Sequence, residues 1–238
     1  MDKEYRDWCV VSLGCDCEVD FRFRHFSKRV ESFLFSYAAV LNPFGFVNLL
    51  GSLNSITEAD FFPYKRGMLV NYQHGIAFHL KNQDSWPIVV RKDDMTDFRG
   101  RLLHLLEKTK QLFSDSSARI VFVQKIPYCW MSNGYFNSLF DQLCKCVSGD
   151  FRLVFIVEKR YVRECRSYLP NDRKILLESV KRFSVPSKRG DMWAWLRICK
   201  KYTSGSSARY ICSTSPFFRT ILLPCALRLT KRKRDNVS

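Results

Sequence analysis

Short apolar runs alternate with amphipathic stretches along most of the chain, and this pattern predicts the secondary structure. The run Phe151–Val157 contains one Arg and is otherwise apolar, which is typical of a strand covered on both faces. Apolar residues at helical spacing between Phe136 and Val147 predict an amphipathic helix. The predicted strands are 9–13, 68–70, 76–80, 120–123, 151–157 and 175–180, and the predicted helices are a segment ending at 24, then 96–113, 136–147, 161–169 and 191–201.

Strands that alternate with helices indicate an α/β fold. We expect a single domain in three layers, with a mostly parallel central sheet and helices on both faces. Residues 1–202 would form this domain, and residues 203–238 would form a linker, an apolar C-terminal segment and a basic tail. The apolar segment is expected either to pack on the core or to lie on an anionic membrane surface.

Composition excludes several classes of protein. With 238 residues, of which 46% are hydrophobic, the chain is neither disordered nor of low complexity. The first residues carry mixed charge where a signal peptide would be apolar, and no window is apolar enough to span a bilayer. The ten cysteines lie mostly in apolar runs and are expected to be free thiols that fill the core. We therefore expect a cytoplasmic protein.

The chain is strongly basic, with 39 Lys and Arg against 23 Asp and Glu and a formal net charge of +16. The basic residues are scattered, without zinc-finger spacing or a helix-turn-helix signature, so no specific nucleic-acid partner is expected. The charge favours anionic partners in general, such as phosphate-bearing cofactors, acidic glycans or anionic lipid. A Gly-rich phosphate loop is missing and the Cys-x-Cys pairs do not match zinc-knuckle spacing, so we expect neither a cofactor nor a metal.

The first candidate for chemistry is the stretch Ser12–Cys17, in which a predicted strand ends at Gly14 and a helix begins within three residues. Asp16 is an acceptable N-cap, which would place Cys17 in the first turn. The helix dipole and unpaired N–H groups there favour a thiolate, and the same groups could hold an oxyanion. Cys15 competes with Cys17 on these grounds, and the alternative is that these small cysteines only pack beside the turn.

A thiol nucleophile needs a base within hydrogen-bond reach, and this base is usually a histidine. The chain has four histidines, at positions 25, 74, 79 and 104. His79 lies on the predicted strand 76–80 and would be held rigidly, as a catalytic base requires. The alternative is a structural histidine.

The stretch Ser-Leu-Gly-Cys-Asp-Cys resembles the opening Ser-Leu-Gly-x-x-Cys motif of a bacterial family described as papain-like cysteine peptidases. That family continues with a Pro-Phe-Asp-Trp element, a Phe-x-His-Asp element, a long basic helix and a Val-Leu-Phe-Val-Arg strand. The corresponding segments here are Ser32–Tyr37, Phe78–His79, 98–102 and 120–124. The similarity covers about residues 9–125, and a weaker similarity occurs at residues 190–193.

The resemblance implies that Cys17 is the nucleophile and His79 is its base. This sequence departs from the family at Ser36, which replaces the acidic residue of the second element, and at Leu80, which follows His79 where the family often has Asp. An amide or another carboxylate can also orient a histidine. Candidates for orienting or oxyanion roles are therefore Ser12, Gly14, Asp16, Ser36, Asn71, Gln73 and Asp191.

These observations predict a cysteine-nucleophile hydrolase that acts on a peptide, ester or thioester carbonyl. Two alternatives stay open. One is an acyltransferase of bacterial surface-polysaccharide biosynthesis, in which an alcohol instead of water resolves the acyl-enzyme. The other is a non-catalytic protein that binds a polyanion through its basic surface.

Overall fold

The computed structural model describes residues 5, 8–15, 18–26, 31–64, 68–79, 92–183 and 191–203. Its strands are β1 (Cys9–Ser12), β2 (Ala38–Val40), β3 (Phe62–Tyr64), β4 (Met68–Asn71), β5 (Ile76–His79), β6 (Arg119–Lys125), β7 (Asp150–Glu158) and β8 (Ile175–Val180). Its α-helices are α1 (Glu18–Phe26), α2 (Pro43–Gly51), α3 (Lys92–Ser114), α4 (Asn133–Cys146), α5 (Val162–Tyr168) and α6 (Met192–Tyr202). A short 3₁₀ helix, Leu34–Tyr37, directly precedes β2.

The core of the fold is a parallel sheet in the order β1-β6-β7-β8, which confirms the predicted α/β class. Side chains alternate across this sheet. Val121 and Val154 belong to the cluster that α1 and α6 cover, whereas Phe122 and Phe155 belong to the cluster on the opposite face. That opposite face is covered by α3, α4 and α5, so the helices lie on both faces as expected.

A second, antiparallel sheet has the order β2-β5-β4-β3. Its β4–β5 hairpin corresponds to the two short strands predicted around the turn at residues 73–75. Leu69, Ile76 and Phe78 bury their side chains in the same cluster as α3 and α4. The small sheet is therefore part of the packing on that face of the parallel sheet.

The hydrophobic pattern of the sequence did not predict α2, β2 or β3. The α2 helix begins with Asn42 as N-cap, whose Oδ1 accepts a hydrogen bond from the Gly45 amide, and with Pro43 at the first helical position. The prediction of residues 161–169 as one helix differs slightly, because α5 starts at Val162 after a 3₁₀ turn. The expected C-terminal segment beyond residue 203 lies outside the described residues.

Candidate active site

The turn after β1 joins the two sheets. The amide of Leu13 donates to the Val123 carbonyl at 2.9 Å, which extends the pairing with β6. Two residues later, the Cys15 carbonyl accepts a hydrogen bond from the amide of Val40 in β2 at 3.1 Å. The chain segment that carries the candidate thiols is therefore held on one side by the parallel sheet and on the other by the antiparallel sheet.

Backbone conformation at this turn is unusual. Gly14 has φ +81°, and Cys15 follows with φ 94°, so two consecutive residues have left-handed φ values. A Cβ at Gly14 would lie 3.3 Å from both the Ala38 carbonyl oxygen and Val40 Cγ2, which explains the glycine. A positive φ costs an ordinary L-residue roughly 1–2 kcal/mol, and such strain is concentrated at functional sites.

The position of the turn in the sheet also favours a ligand site. From the carboxyl end of β1 the chain continues into α1 on one face of the sheet, and from β6 it continues into α4 on the opposite face. In open α/β sheets, ligands bind outside the carboxyl ends of the strands. Cys15 lies three residues beyond the carboxyl end of β1.

The two residues singled out by the resemblance are only partly placed. Asp16 and Cys17 lie outside the described residues, and Cys17 directly precedes Glu18, the first residue of α1. The backbone of His79 ends β5 opposite Met68, and its side chain is outside the described part. The neighbouring Phe78 pairs with Ala38, the β2 residue against which Gly14 packs. The Cys15 carbonyl, in contrast, accepts its hydrogen bond from Val40, which pairs with Ile76 at the opposite end of β5 from His79.

The structure does not bring all the predicted orienting residues together. Ser12 is buried, with its Oγ 3.4 Å from the Gly14 amide nitrogen, which donates to it. Asn71 pairs with Ile76 at the opposite end of β5 from His79, and its Oδ1 accepts a hydrogen bond from the His74 amide. Gln73 is exposed in the hairpin turn, and Asp191 caps α6 beside β8.

Sequence reasoning missed a buried carboxylate beside Ser36. Asp20, on α1, is 2% exposed and forms an ion pair with Arg24. Burial raises the pKa of Asp20, while the Arg24 guanidinium and the Ser36 hydroxyl act in the opposite direction. Within the described part of the chain, Asp20 Oδ1 makes no hydrogen bond. Asp20 therefore places a carboxylate beside Ser36 from another element of the fold.

The 3₁₀ turn that contains Ser36 packs against α1, β1 and β5. It therefore connects the element that carries Asp20, the strand that precedes the thiols and the strand that ends in His79. No periodicity in the sequence signals this contact, because the residues come from segments that only the tertiary fold brings together.

Further buried polar groups lie near the turn. Tyr135, on α4, donates its hydroxyl to Gln124 Oε1 at 2.9 Å, and both side chains are fully buried. Burial raises the pKa of Tyr135, and a smaller contribution in the same direction comes from nearby Cys15. Gln124 Nε2 has no hydrogen-bond partner among the described residues. Buried amides without partners are uncommon, so this pair adds unsatisfied polarity next to the candidate thiol.

An ion-pair network fixes the start of α1 to the carboxyl end of β6. Glu18 accepts hydrogen bonds from Lys125 Nζ at 3.1 Å and from Arg22 at 3.2 Å, and all three side chains are almost fully buried. Lys125 Nζ also lies 4.6 Å from the centre of the Phe183 ring. The network begins three residues after Cys15, at the first residue of α1.

The described cysteines do not all behave as core residues. Cys165 and Cys199 are buried, in agreement with the prediction for Cys199, whereas Cys129 and Cys144 are exposed. Burial raises the pKa of the Cys165 thiol to about 12, with a smaller contribution from Glu164. Such buried thiols are unreactive, so burial excludes Cys165 as a nucleophile.

Comparisons with known proteins do not identify the chain: no family model matches it, and no curated protein or solved structure is significantly similar. Within the described residues, no cluster of His, Cys, Asp and Glu is suited to hold a metal ion. The helices of that same part of the chain include none with the length and apolarity needed to cross a membrane.

Proposed function

We propose that the protein is a cysteine-nucleophile hydrolase of acyl compounds, with its thiol in the turn after β1. The observation that carries this proposal is the pair of left-handed residues Gly14 and Cys15 just beyond the carboxyl end of β1. A sharp, strained turn between a strand and a helix presents a nucleophile above a sheet and leaves backbone N–H groups free for an oxyanion. We assign the nucleophile to Cys17, in line with the resemblance, and keep Cys15 as the competing thiol.

The reaction follows from these groups. His79 holds the thiol proton as an imidazolium, the thiolate sulfur forms a bond to the substrate carbonyl carbon, and the carbonyl π electrons move to oxygen. Collapse of this oxyanion breaks the bond to the leaving group, which receives the proton from the imidazolium. Water then attacks the resulting thioester, and the carboxylic acid product leaves with the thiol restored. In the acyl-transfer version, an alcohol takes the place of water in this last step.

Asp20 is our candidate for the carboxylate that orients His79. It is buried, it retains one oxygen without a described partner, and it lies beside Ser36 on the 3₁₀ turn that packs against β5. A carboxylate that accepts a hydrogen bond from the imidazole fixes its tautomer and stabilises the imidazolium. Asp20 is thus proposed as a positioning residue and not as a group that touches the substrate.

Site-resolved alkylation tests the nucleophile. The native protein is treated with iodoacetamide between pH 5 and 9, and each cysteine is followed by peptide mass spectrometry. We expect Cys17 to react fastest, with a rate that stays nearly constant down to about pH 6, since an activated thiolate has a depressed pKa. His79→Gln should remove this plateau. The proposal is wrong if Cys17 reacts no faster than exposed Cys129.

A charge-relocation experiment tests Asp20. Asp20→Ser should slow alkylation of Cys17 and shift its pH profile, because the imidazolium loses its partner. The double variant Asp20→Ser with Ser36→Asp returns a carboxylate to the same neighbourhood and should restore the profile. If the double variant folds but the pH profile is not restored, the assignment of Asp20 is wrong. The assignment of Cys17 as nucleophile is tested separately, by the alkylation experiment above.

Hydrolysis and transfer are separated with p-nitrophenyl acetate. A burst of p-nitrophenol, followed by steady turnover in water, supports the hydrolase, and acetylated Cys17 should be visible by mass spectrometry. An acetylated enzyme that turns over only when an alcohol acceptor is added favours the acyltransferase. Loss of the burst in Cys17→Ser, but not in Cys15→Ser, decides between the two thiols.

A further inference from the structure

A cleft lies at the carboxyl ends of β7 and β8, near the edge of the parallel sheet. After β7 the chain continues into α5 on one face, and after β8 it reaches α6 on the opposite face. Ligands of open α/β sheets bind outside the carboxyl ends of the strands. The cleft has a volume of about 560 Å³. Its lining includes Lys159, Ser179, Lys181, Asp191, Trp193 and Arg197. This volume is within the range of small-molecule sites.

The cleft carries a net positive charge, since its lining has three cationic side chains and one carboxylate. Lys159, Lys181 and Arg197 form no ion pair with any other residue of the described part of the chain. Acidic residues nearby are already engaged, since Glu158 pairs with Arg160 and Glu178 pairs with Lys201.

Asp191 offsets only part of this charge, and both of its carboxylate oxygens are used by the fold. Its Oδ1 accepts a hydrogen bond from the Ala194 amide as the N-cap of α6, and its Oδ2 accepts one from the Lys181 amide. Burial works against ionisation, but these hydrogen bonds and the nearby cations lower the pKa of Asp191. The carboxylate thus fixes the geometry of the cleft and leaves three cationic side chains in it.

Trp193 gives the cleft an aromatic wall. Its side chain is 71% exposed, although the other described large apolar side chains of α6 are mostly buried. An exposed indole beside cationic side chains can stack on a planar ring whose attached phosphates are held by those cations. A plain inorganic anion would leave this ring without a function.

We infer that the cleft between the carboxyl ends of β7 and β8 binds a small nucleotide, with its phosphates on Lys159, Lys181 and Arg197 and its base stacked on Trp193. The inference rests on the cleft alone and does not require the thiol chemistry proposed for the turn after β1. The limited volume favours a mononucleotide over a nucleic-acid strand, although both present phosphates and bases.

Calorimetric titration of the full-length protein with ADP, at low salt, is the first experiment. We expect saturable binding with one site per chain. Arg197→Glu should weaken it by at least about tenfold, since a charge-assisted contact is lost and a repulsive charge is added. Lys200→Glu is the matched control, because it makes the same charge change on α6 at an exposed position outside the cleft. This control should change the affinity less than about twofold.

The role of the ring is tested by comparing ADP with pyrophosphate. Trp193→Ala should weaken ADP binding by at least about fivefold and leave pyrophosphate binding unchanged, because base stacking contributes only to the former. Trp193→Phe keeps an aromatic face and should retain most of the ADP affinity. Melting temperatures within about 2 °C of the wild type confirm that each variant is folded.

Several results would overturn the inference. They are the absence of saturable ADP binding, equal losses in Arg197→Glu and Lys200→Glu, or equal losses of ADP and pyrophosphate in Trp193→Ala. Binding of a single-stranded RNA oligonucleotide that ADP does not displace would also overturn it and would indicate an extended nucleic-acid surface instead. None of these experiments measures the reactivity of the thiol. The nucleotide site and the cysteine hydrolase are therefore tested independently.

Discussion

Replacing Gly45 by Ala tests how the β4–β5 hairpin, which carries His79, is seated on α2. A Cβ at Gly45 would lie 2.2 Å from the carbonyl oxygen of His74 and 2.8 Å from its carbonyl carbon. The shorter distance is about 1 Å less than an ordinary carbon–oxygen contact. Both atoms belong to the backbone of the hairpin turn, whose His74 amide is held by Asn71. The clash can be relieved only by moving α2 away from the hairpin.

The magnitude is set by two opposing effects. Overpacking that shifts backbone costs typically 1–3 kcal/mol and more where neither side can yield. The higher helix propensity of Ala returns at most about 1 kcal/mol. We therefore expect Gly45→Ala to lower the free energy of unfolding by roughly 2 kcal/mol, which corresponds to a melting temperature lower by roughly 4–8 °C.

Gly100→Ala is the matched control. Gly100 is also helical, in α3, but a Cβ there would meet nothing within 4 Å. The same substitution should then raise the free energy of unfolding by about 0.8–1.0 kcal/mol. Urea denaturation of both variants, with unchanged slopes, measures these effects. A Gly45→Ala protein as stable as the wild type would show that the hairpin does not lie on α2 as described.

Two further predictions concern buried charges and thiols. Glu18→Gln should destabilise the fold by about 3–5 kcal/mol in urea denaturation, because it removes the buried carboxylate charge that pairs with Lys125 and Arg22. Glu107→Gln, which removes an exposed partner of Lys110, should change stability by less than about 1 kcal/mol. Similar values for both variants would refute the buried network. Burial, and to a lesser extent Glu31, raises the pKa of Cys9 to about 11, and burial likewise raises the pKa of Cys146 to about 11. Because the thiolate is the reactive form, the alkylation rates of Cys9 and Cys146 should keep rising up to pH 10. At pH 7.5 both rates should be at least about tenfold lower than that of exposed Cys129. A rate that levels off near pH 8 would contradict this prediction.

Elements with a strong periodic signal could be predicted from the sequence. The strand β8, Ile175–Val180, has the predicted bounds, and the structure extends the predicted helix 96–113 to α3. The failure at α2 has a physical cause. The α2 helix packs against both α4 and the hairpin, so apolar residues occur on several of its sides. No single apolar face therefore stands out in its sequence. The Asn42–Pro43 start signal was the available clue.

The candidate site was less accessible to sequence reasoning. The turn at Gly14 could be predicted because a buried strand ends there. The carboxylate of Asp20 could not, since its proximity to Ser36 depends on how α1 packs against the 3₁₀ turn. The basic residues around β8 were recognised only as scattered charge. Their convergence with Trp193 on one cleft follows from the parallel sheet, which brings the strand ends to one edge.

The pairing of β1 with β6 has a consequence for the order of folding. Strands β6, β7 and β8 are joined by local strand–helix–strand units, whereas Cys9 pairs with Ile120 although the whole antiparallel sheet, α2 and α3 lie between them in the chain. Closing this long loop carries an entropic cost that the local units do not have, so β1 is expected to dock last. The turn with the candidate thiols then acquires its left-handed backbone only in the final stage of folding. A nascent or partly folded chain would therefore carry these cysteines as ordinary thiols, and any reactivity would emerge only with the completed fold.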